Sequence, residues 1–417
     1  MRVLEISNII MPAMSRAMGQ PATDFGGWIY SSFDEMRALD DISFAFATVY
    51  PGNEFIVKEI DNVKYYLLPL CGKPISRYHR HLEDIWLRVK NDFQPDVVNI
   101  HGSEYPHGLA WVRSCGNKGV LVSIQGIASE IEKCCKLEES PHFLTTFRDI
   151  VRRDSIKQSR NEFARMAEKE KELFQSVRHV AGRTDWDHSH VKKLNPDLEY
   201  HYCGETMRRS FYKHKWNYAN CQPHSIFVSQ SYYPIKGLHK LLQALPEVLR
   251  HYPDTQVFVA GTDETSKPWW RITGYGKYLR RLIKRYSLEH VVAFTGLLSE
   301  KQMLARYLDS NIFLCCSSVE NSSNSIGEAQ LLGMPILASE VGGNPQIMKG
   351  HEDCLYPFAD INALSEKICG LFAKTDLERM PVKYNLDRFS SQSNLKTQIG
   401  IYRAIANEGQ SGESNGE

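Results

Sequence analysis

Neither sign of charge is in excess: Lys plus Arg number 50 and Asp plus Glu 49 in 417 residues. So even a balance gives no reason to expect nucleic acid as a partner. No apolar run approaches the ~20 residues needed to span a bilayer as a helix. The N-terminus, Met1-Arg-Val-Leu-Glu-Ile-Ser-Asn8, lacks the apolar core of a signal peptide, because Glu5, Ser7 and Asn8 interrupt it. It reads as a first β-strand instead. None of the ten cysteines forms a C-x-x-C pair, so no zinc site is expected. The adjacent pairs Cys134-Cys135 and Cys315-Cys316 read as small buried hydrophobes of a reducing compartment, and the expected location is the cytoplasm. There is no short internal repeat.

What the chain does contain is an alternation of short apolar runs with amphipathic stretches. Hydrophobic residues make up 42% and charged residues 24%, the profile of a soluble globular protein. A length of 417 residues exceeds one ordinary core, so two or three domains are expected. In the C-terminal half, strands are expected at 225–228, 256–260, 291–294, 312–316 and 335–338. Helices are expected at 238–249, 278–286, 300–308 and 361–372, the third opened by the capping box Ser299-Glu-Lys-Gln302. The N-terminal half repeats the rhythm, with strands at 3–6, 43–48, 65–68, 97–100, 120–124 and 179–181 and helices at 28–39, 81–91 and 150–174. Short unalternating strands between helices imply parallel sheets covered on both faces. The expected fold class is therefore α/β, with two Rossmann-like, doubly wound domains. The expected division is 1–211, a hinge at 212–224, 225–385, a C-terminal helix at 386–408 crossing back, and a disordered tail at 409–417.

The most informative segment runs from Ser317 to Gly333. A buried strand ends, a polar loop holding Glu320 and Asn324 follows, and a helix opens near Ser325. Ligands of open α/β sheets bind beyond the carboxyl ends of strands. A helix start offers free amides that suit a diphosphate, and Gly327 permits close approach. Glu328, one turn in, could accept bonds from ribose hydroxyls. A plainer reading is also open: Ser325-Ile-Gly-Glu328 has the form of a capping box, in which Glu328 only closes the helix end.

Two glutamates separated by seven residues, followed by Ala329-Gln-Leu-Leu-Gly-Met-Pro335 and Ser339-Glu-Val-Gly-Gly343, resemble family-4-type retaining glycosyltransferases of the GT-B fold. The flavour is that of transferases of bacterial capsule and surface polysaccharides. Tyr233-Pro-Ile-Lys-Gly-Leu-His239 resembles the Lys-Gly element that opens the donor domain. Phe25-Gly-Gly27 and Gly182-Arg-Thr-Asp-Trp186 extend the likeness through the N-terminal half. The resemblance implies two domains facing across a cleft and a nucleotide-sugar donor, a UDP- or GDP-sugar. By it Glu328 holds the ribose and Glu320 contacts the transferred sugar. Lys236 binds the diphosphate, with Asn324, Ser325 and Ser231 beside it, and Gly26 and Gly27 close from the other domain. Two departures stand out: Ser231 occupies a position where many members have arginine, and Gln125 follows a strand where many have histidine.

His101 and His107 could take the missing histidine's place, which makes His107 a catalytic candidate beside Glu320 and Lys236. Glu104, Gln125 and Arg183 join His101 on the acceptor side. No Asp-x-Asp accompanies the donor motif, so neither metal nor other cofactor is expected; Lys236 and the helix end can serve the leaving phosphate. The acceptor is expected to be a saccharide, a lipid-linked one at the membrane face. The basic segments around Arg77 and Arg80 and at 148–165, both placed in the N-terminal domain, suggest peripheral contact with the cytoplasmic membrane face. Two other functions fit the same residues less fully: a sugar-nucleotide epimerase of this fold, and a non-catalytic nucleotide-sugar-binding protein.

Overall fold

The computed structural model describes residues 1–20, 27–137, 144–374 and 380–411. The chain forms two compact units. The first comprises Met1–Ser129, Glu162–Thr206 and Asp387–Glu417; the second comprises Glu130–Asn161 and Met207–Leu386. The division falls at Thr206/Met207 rather than in a hinge at 212–224, and 130–161 belong with the second unit rather than the first. The C-terminal helix, Ser391–Ser411, packs Ile399, Tyr402 and Ile405 into the first unit's core. It extends through residues 409–411, part of the expected disordered tail; 412–417 lie outside the described residues.

The first unit is built on β1 (Arg2–Ser7), β2 (Ser43–Tyr50), β3 (Ile56–Ile60), β4 (Val63–Pro69), β5 (Val97–His101), β6 (Val120–Ser123), β7 (His179–Gly182) and β8 (Glu199–Tyr202). They form one sheet in the order β3-β4-β2-β1-β5-β6-β7-β8, parallel except where β3 pairs antiparallel with β4. Strand β1 shows why its residues alternate in destination but not in polarity: Leu4 and Ile6 enter the core on one face, Val3 that on the other.

The second unit is built on β9 (Gln222–Val228), β10 (Gln256–Ala260), β11 (Val292–Gly296), β12 (Ser310–Cys315), β13 (Ile336–Ser339) and β14 (Leu355–Tyr356). Their order is β11-β10-β9-β12-β13-β14, and every pairing is parallel. In each sheet the winding reverses once, between β1 and β5 and between β9 and β12. Ligand sites of doubly wound sheets lie at such reversals, beyond the strands' carboxyl ends.

The helix expected at 150–174 is two helices. Phe147–Arg152 opens with a capping box of Thr146 and Asp149 and closes at Arg153, held at φ +55°. Ile156–Ser176 then restarts where Gln158 accepts from the Ser155 amide at 2.9 Å. The short edge strands β3, β8 and β14 were not expected; each is too short or too polar to show an apolar run.

Candidate active site

In the second unit, the loop after β12 and the turn after β9 meet at the winding reversal. Pro234–Lys236 forms one 3₁₀ turn that ends at Gly237, with φ +69°. A Cβ at Gly237 would lie 1.6 Å from the Cys316 carbonyl oxygen, so only glycine lets the two loops touch. The contact carries bonds: the Ser318 amide donates to Ile235 O at 2.7 Å, and the Cys316 thiol to Lys236 O at 3.3 Å.

That seating aims the Lys236 ammonium at Glu320, Nζ to Oε1 2.6 Å, and Ser317 Oγ donates to the same oxygen at 2.7 Å. Burial alone would lower the basicity of Lys236, but the Glu320 carboxylate more than offsets it and the ammonium titrates above its ordinary range. Glu320 is fixed from behind by the loop Ser339 to Gly343. The Gly343 amide donates to Glu320 O at 3.0 Å, and a Cβ on Gly342 (φ +55°) would stand 1.8 Å from that oxygen.

The helix Asn324–Leu332 starts one residue earlier than expected, with Ser323 at the N-cap and no side-chain cap bond. Ser325 therefore lies inside the helix, and its hydroxyl accepts from Ser229 Oγ at 2.8 Å. The capping-box reading of Ser325 and Glu328 fails: both carboxylate oxygens of Glu328 accept from Arg208, Nε to Oε1 2.6 Å and Nη2 to Oε2 2.7 Å. Burial raises the Glu328 carboxyl, and the neighbouring Arg208 charge pulls it back only in part. Asn324 Oδ1 is buried with no hydrogen-bond partner among the described residues, and Ser231 is buried. Lys236, Glu320, Asn324, Ser325 and Glu328 are thus gathered on the few elements that meet at one reversal. Arg208, which no sequence spacing marked, joins them. Gly26 lies outside the described residues, and Gly27 is the first residue of the helix Gly27–Met36.

In the first unit, a cavity of about 60 Å³ opens at the carboxyl ends of β5, β6 and β7, and His101, Gln125, Arg183 and Glu205 line it. His101 Nε2 lies 2.7 Å from Glu5 Oε2, and Asn99 and Tyr402 also donate to that buried carboxylate, at 2.9 and 2.8 Å. Arg183 pairs with Glu205 at 2.7 Å. Glu104 is pushed up to about 7 by burial, against the pull of backbone amides and Arg183. His107 does not line the cavity. It is 3% exposed at the start of the helix His107–Cys115, both ring nitrogens lack a partner among the described residues, and burial lowers it to about 4. The ring is therefore a neutral, packed imidazole.

An Asp-x-Asp does occur, at Asp185-Trp-Asp187 in the first unit, but Asp187 caps its own helix with Thr184. Among the described residues one group has metal-ligand spacing: His179, Glu199 and His201, at the edge of the first sheet. Parallel strand pairing makes these residues neighbours, which the sequence could not show.

Residues 192–388 match the family described as glycosyl transferases group 1, a stretch that covers most of the second unit. The chain is 26% identical over 166 residues to spore coat protein SA of Bacillus subtilis, covering 39% of this chain and 42% of that protein. It is also 26% identical over 145 residues to a Corynebacterium glutamicum GDP-mannose-dependent monoacylated alpha-(1-6)-phosphatidylinositol monomannoside mannosyltransferase, covering 33% and 35%. The matched stretches thus span well under half of either relative. Sucrose-phosphate synthase from Thermosynechococcus elongatus superposes with a TM-score of 0.71 at 14% identity, over 97% of this chain and 98% of that one. The fold is that of the GT-B glycosyltransferases: two α/β domains with Rossmann-like parallel sheets.

Proposed function

We propose that the chain transfers a sugar from a UDP- or GDP-sugar to a saccharide acceptor, with retention of configuration, in the synthesis of a surface polysaccharide or glycolipid. The observation that carries this is the pairing of Lys236 with Glu320 and of Arg208 with Glu328 beside one helix N-terminus at the second unit's winding reversal.

Departure of a nucleoside diphosphate builds negative charge on phosphate and positive charge on the sugar. The Lys236 ammonium and the first amides of Asn324–Leu332 stabilise the phosphate. A charge-assisted bond contributes about 1.5–3 kcal/mol, and a helix terminus roughly 0.3–1 kcal/mol, so Lys236 is the larger single contributor. Glu320 contacts the transferred sugar while steering the ammonium. Glu328 holds the ribose, and Arg208 aims its carboxylate through two hydrogen bonds. With a lysine and a helix end in place, the leaving group has no need of a metal.

The acceptor is assigned to the first unit's cavity, where His101, Gln125 and Arg183 offer polar groups to a saccharide and Glu104 stands by. The C. glutamicum relative is named for a phosphatidylinositol mannoside, which favours a lipid-linked acceptor here. Incubation with radiolabelled UDP- and GDP-sugars and a lipid-linked oligosaccharide, followed by product analysis, tests the reading. Labelled, extended glycolipid with released nucleoside diphosphate is expected; an epimerised sugar nucleotide, or unchanged donor with every sugar tried, would refute it.

A further inference from the structure

Five large apolar side chains stand in solvent on two neighbouring segments of the second unit. Phe147, Ile150 and Val151 on the helix Phe147–Arg152 are 57%, 66% and 65% exposed; Trp269 and Trp270 are 66% and 53% exposed. Phe147 and Trp269 touch, with ring centroids 5.9 Å apart, and the two tryptophans pack edge to face at 5.7 Å. Scattered exposed hydrophobics need no explanation, but a contiguous group of this size marks a contact surface.

The group is held rigidly. Asp149, 1% exposed, accepts from the Thr146 amide at 3.1 Å and from the Gly274 amide at 2.9 Å, so one carboxylate closes the start of two helices. Thr146 Oγ1 donates to Ile272 O at 2.8 Å, and a Cβ on Gly274 would stand 1.7 Å from Leu144 O. The two segments therefore form one platform, tied together beneath by these hydrogen bonds and apolar on its outer side.

Its surroundings are basic. Arg152 and Arg153 follow Val151, Arg271 follows Trp270, and all three are exposed. The acids nearby are already engaged: Asp149 is buried, Asp154 pairs with Arg148 at 2.8 Å, and Glu264 is 2% exposed and bonded to Lys267. Adjacent tryptophans suit the headgroup layer, where an amphipathic ring has one wet and one apolar side, and arginines beside them suit anionic lipid. A helix of six residues is too short to cross a bilayer but long enough to rest in its surface.

We infer that this platform docks the protein on an anionic phospholipid surface, with Phe147, Ile150, Val151, Trp269 and Trp270 entering the headgroup layer and Arg152, Arg153 and Arg271 meeting lipid phosphates. It deepens the proposal of a lipid-linked acceptor and rests on that reading only for why a transferase would sit on a bilayer. Arg152 and Arg153 fall within the basic run 148–165 expected to meet the membrane, whereas Arg77 and Arg80 lie in the other unit.

The test is flotation of the full chain with vesicles of equal parts phosphatidylglycerol and phosphatidylcholine, and with phosphatidylcholine alone. Wild type should float with the anionic vesicles. The double variant Trp269→Ser/Trp270→Ser should bind about tenfold less, a 1.4 kcal/mol loss, and Arg152→Glu/Arg153→Glu should lose the preference for anionic lipid. Both should keep the wild-type melting temperature and nucleotide affinity, which separates failure of docking from failure of the donor site. Wild type remaining unbound, or the tryptophan variant floating as well as wild type, overturns the inference. So does wild-type self-association that the tryptophan variant abolishes, since a second copy would then be the occupant.

Discussion

Arg208 and Glu328 form a two-bonded, parallel ion pair, at 2.6 and 2.7 Å, between residues 120 positions apart. Both side chains are largely buried, so neither charge has water to fall back on. Breaking a buried pair from one side strands the other charge, at a cost of about 3–5 kcal/mol. Arg208→Met should destabilise the second unit by that amount in urea unfolding, and Arg208→Met/Glu328→Gln should recover most of the loss. A single variant as stable as wild type would show the pair to be energetically idle.

Lys236→Ala should leave the fold intact and lower turnover by on the order of 10²–10³, the usual loss on removing one preorganised charge donor. The fall should appear mainly in kcat, because the ammonium acts on charge that develops as the phosphate departs. Near-normal kcat would assign the leaving group to another cation.

The clustering of the proposed donor residues was legible because they sit close together in sequence. Glu320, Asn324, Ser325 and Glu328 occupy one loop and one helix start, and the strand before them is a plain apolar run. Gly237 and Gly342 show why glycine stands in the flanking motifs: a Cβ at either position would lie within 2 Å of a carbonyl oxygen. Arg208 was invisible because its partner is distant in sequence and nothing periodic surrounds it. His107 misled in the opposite way, as a histidine near other polar residues that folds into an apolar helix face. The passage of 130–161 into the second unit also left no signal, since helix patterns do not say which sheet they cover.

Glu170 supplies a pH dependence. It is buried, accepts from Ser103 Oγ at 2.6 Å and the Ala128 amide at 2.9 Å, and burial raises it to about 8. The folded carboxyl therefore holds its proton in a range where the unfolded one has lost it. Stability from this group is present below pH ~4.5 and is lost as pH rises toward 8, at up to about 1.4 kcal/mol per pH unit. Glu170→Gln should flatten the fall in melting temperature between pH 5 and 8. An unchanged slope would place the proton elsewhere.

On the proposed mechanism turnover should survive EDTA, because the leaving phosphate is assigned to Lys236 and the helix end, whereas the His179, Glu199 and His201 group belongs to the first unit. Loss of turnover restored by manganese or magnesium would contradict this.

Calorimetric titration with UDP and with GDP asks most directly whether the second unit holds a sugar nucleotide. One of the two should bind wild type stoichiometrically. Glu328→Gln should bind it about tenfold more weakly, compared at a temperature where this variant, destabilised by the stranded Arg208 charge, is still fully folded. Binding of neither nucleotide to wild type, or equal affinity in the variant, would contradict the assignment of the donor to Lys236, Glu320 and Glu328.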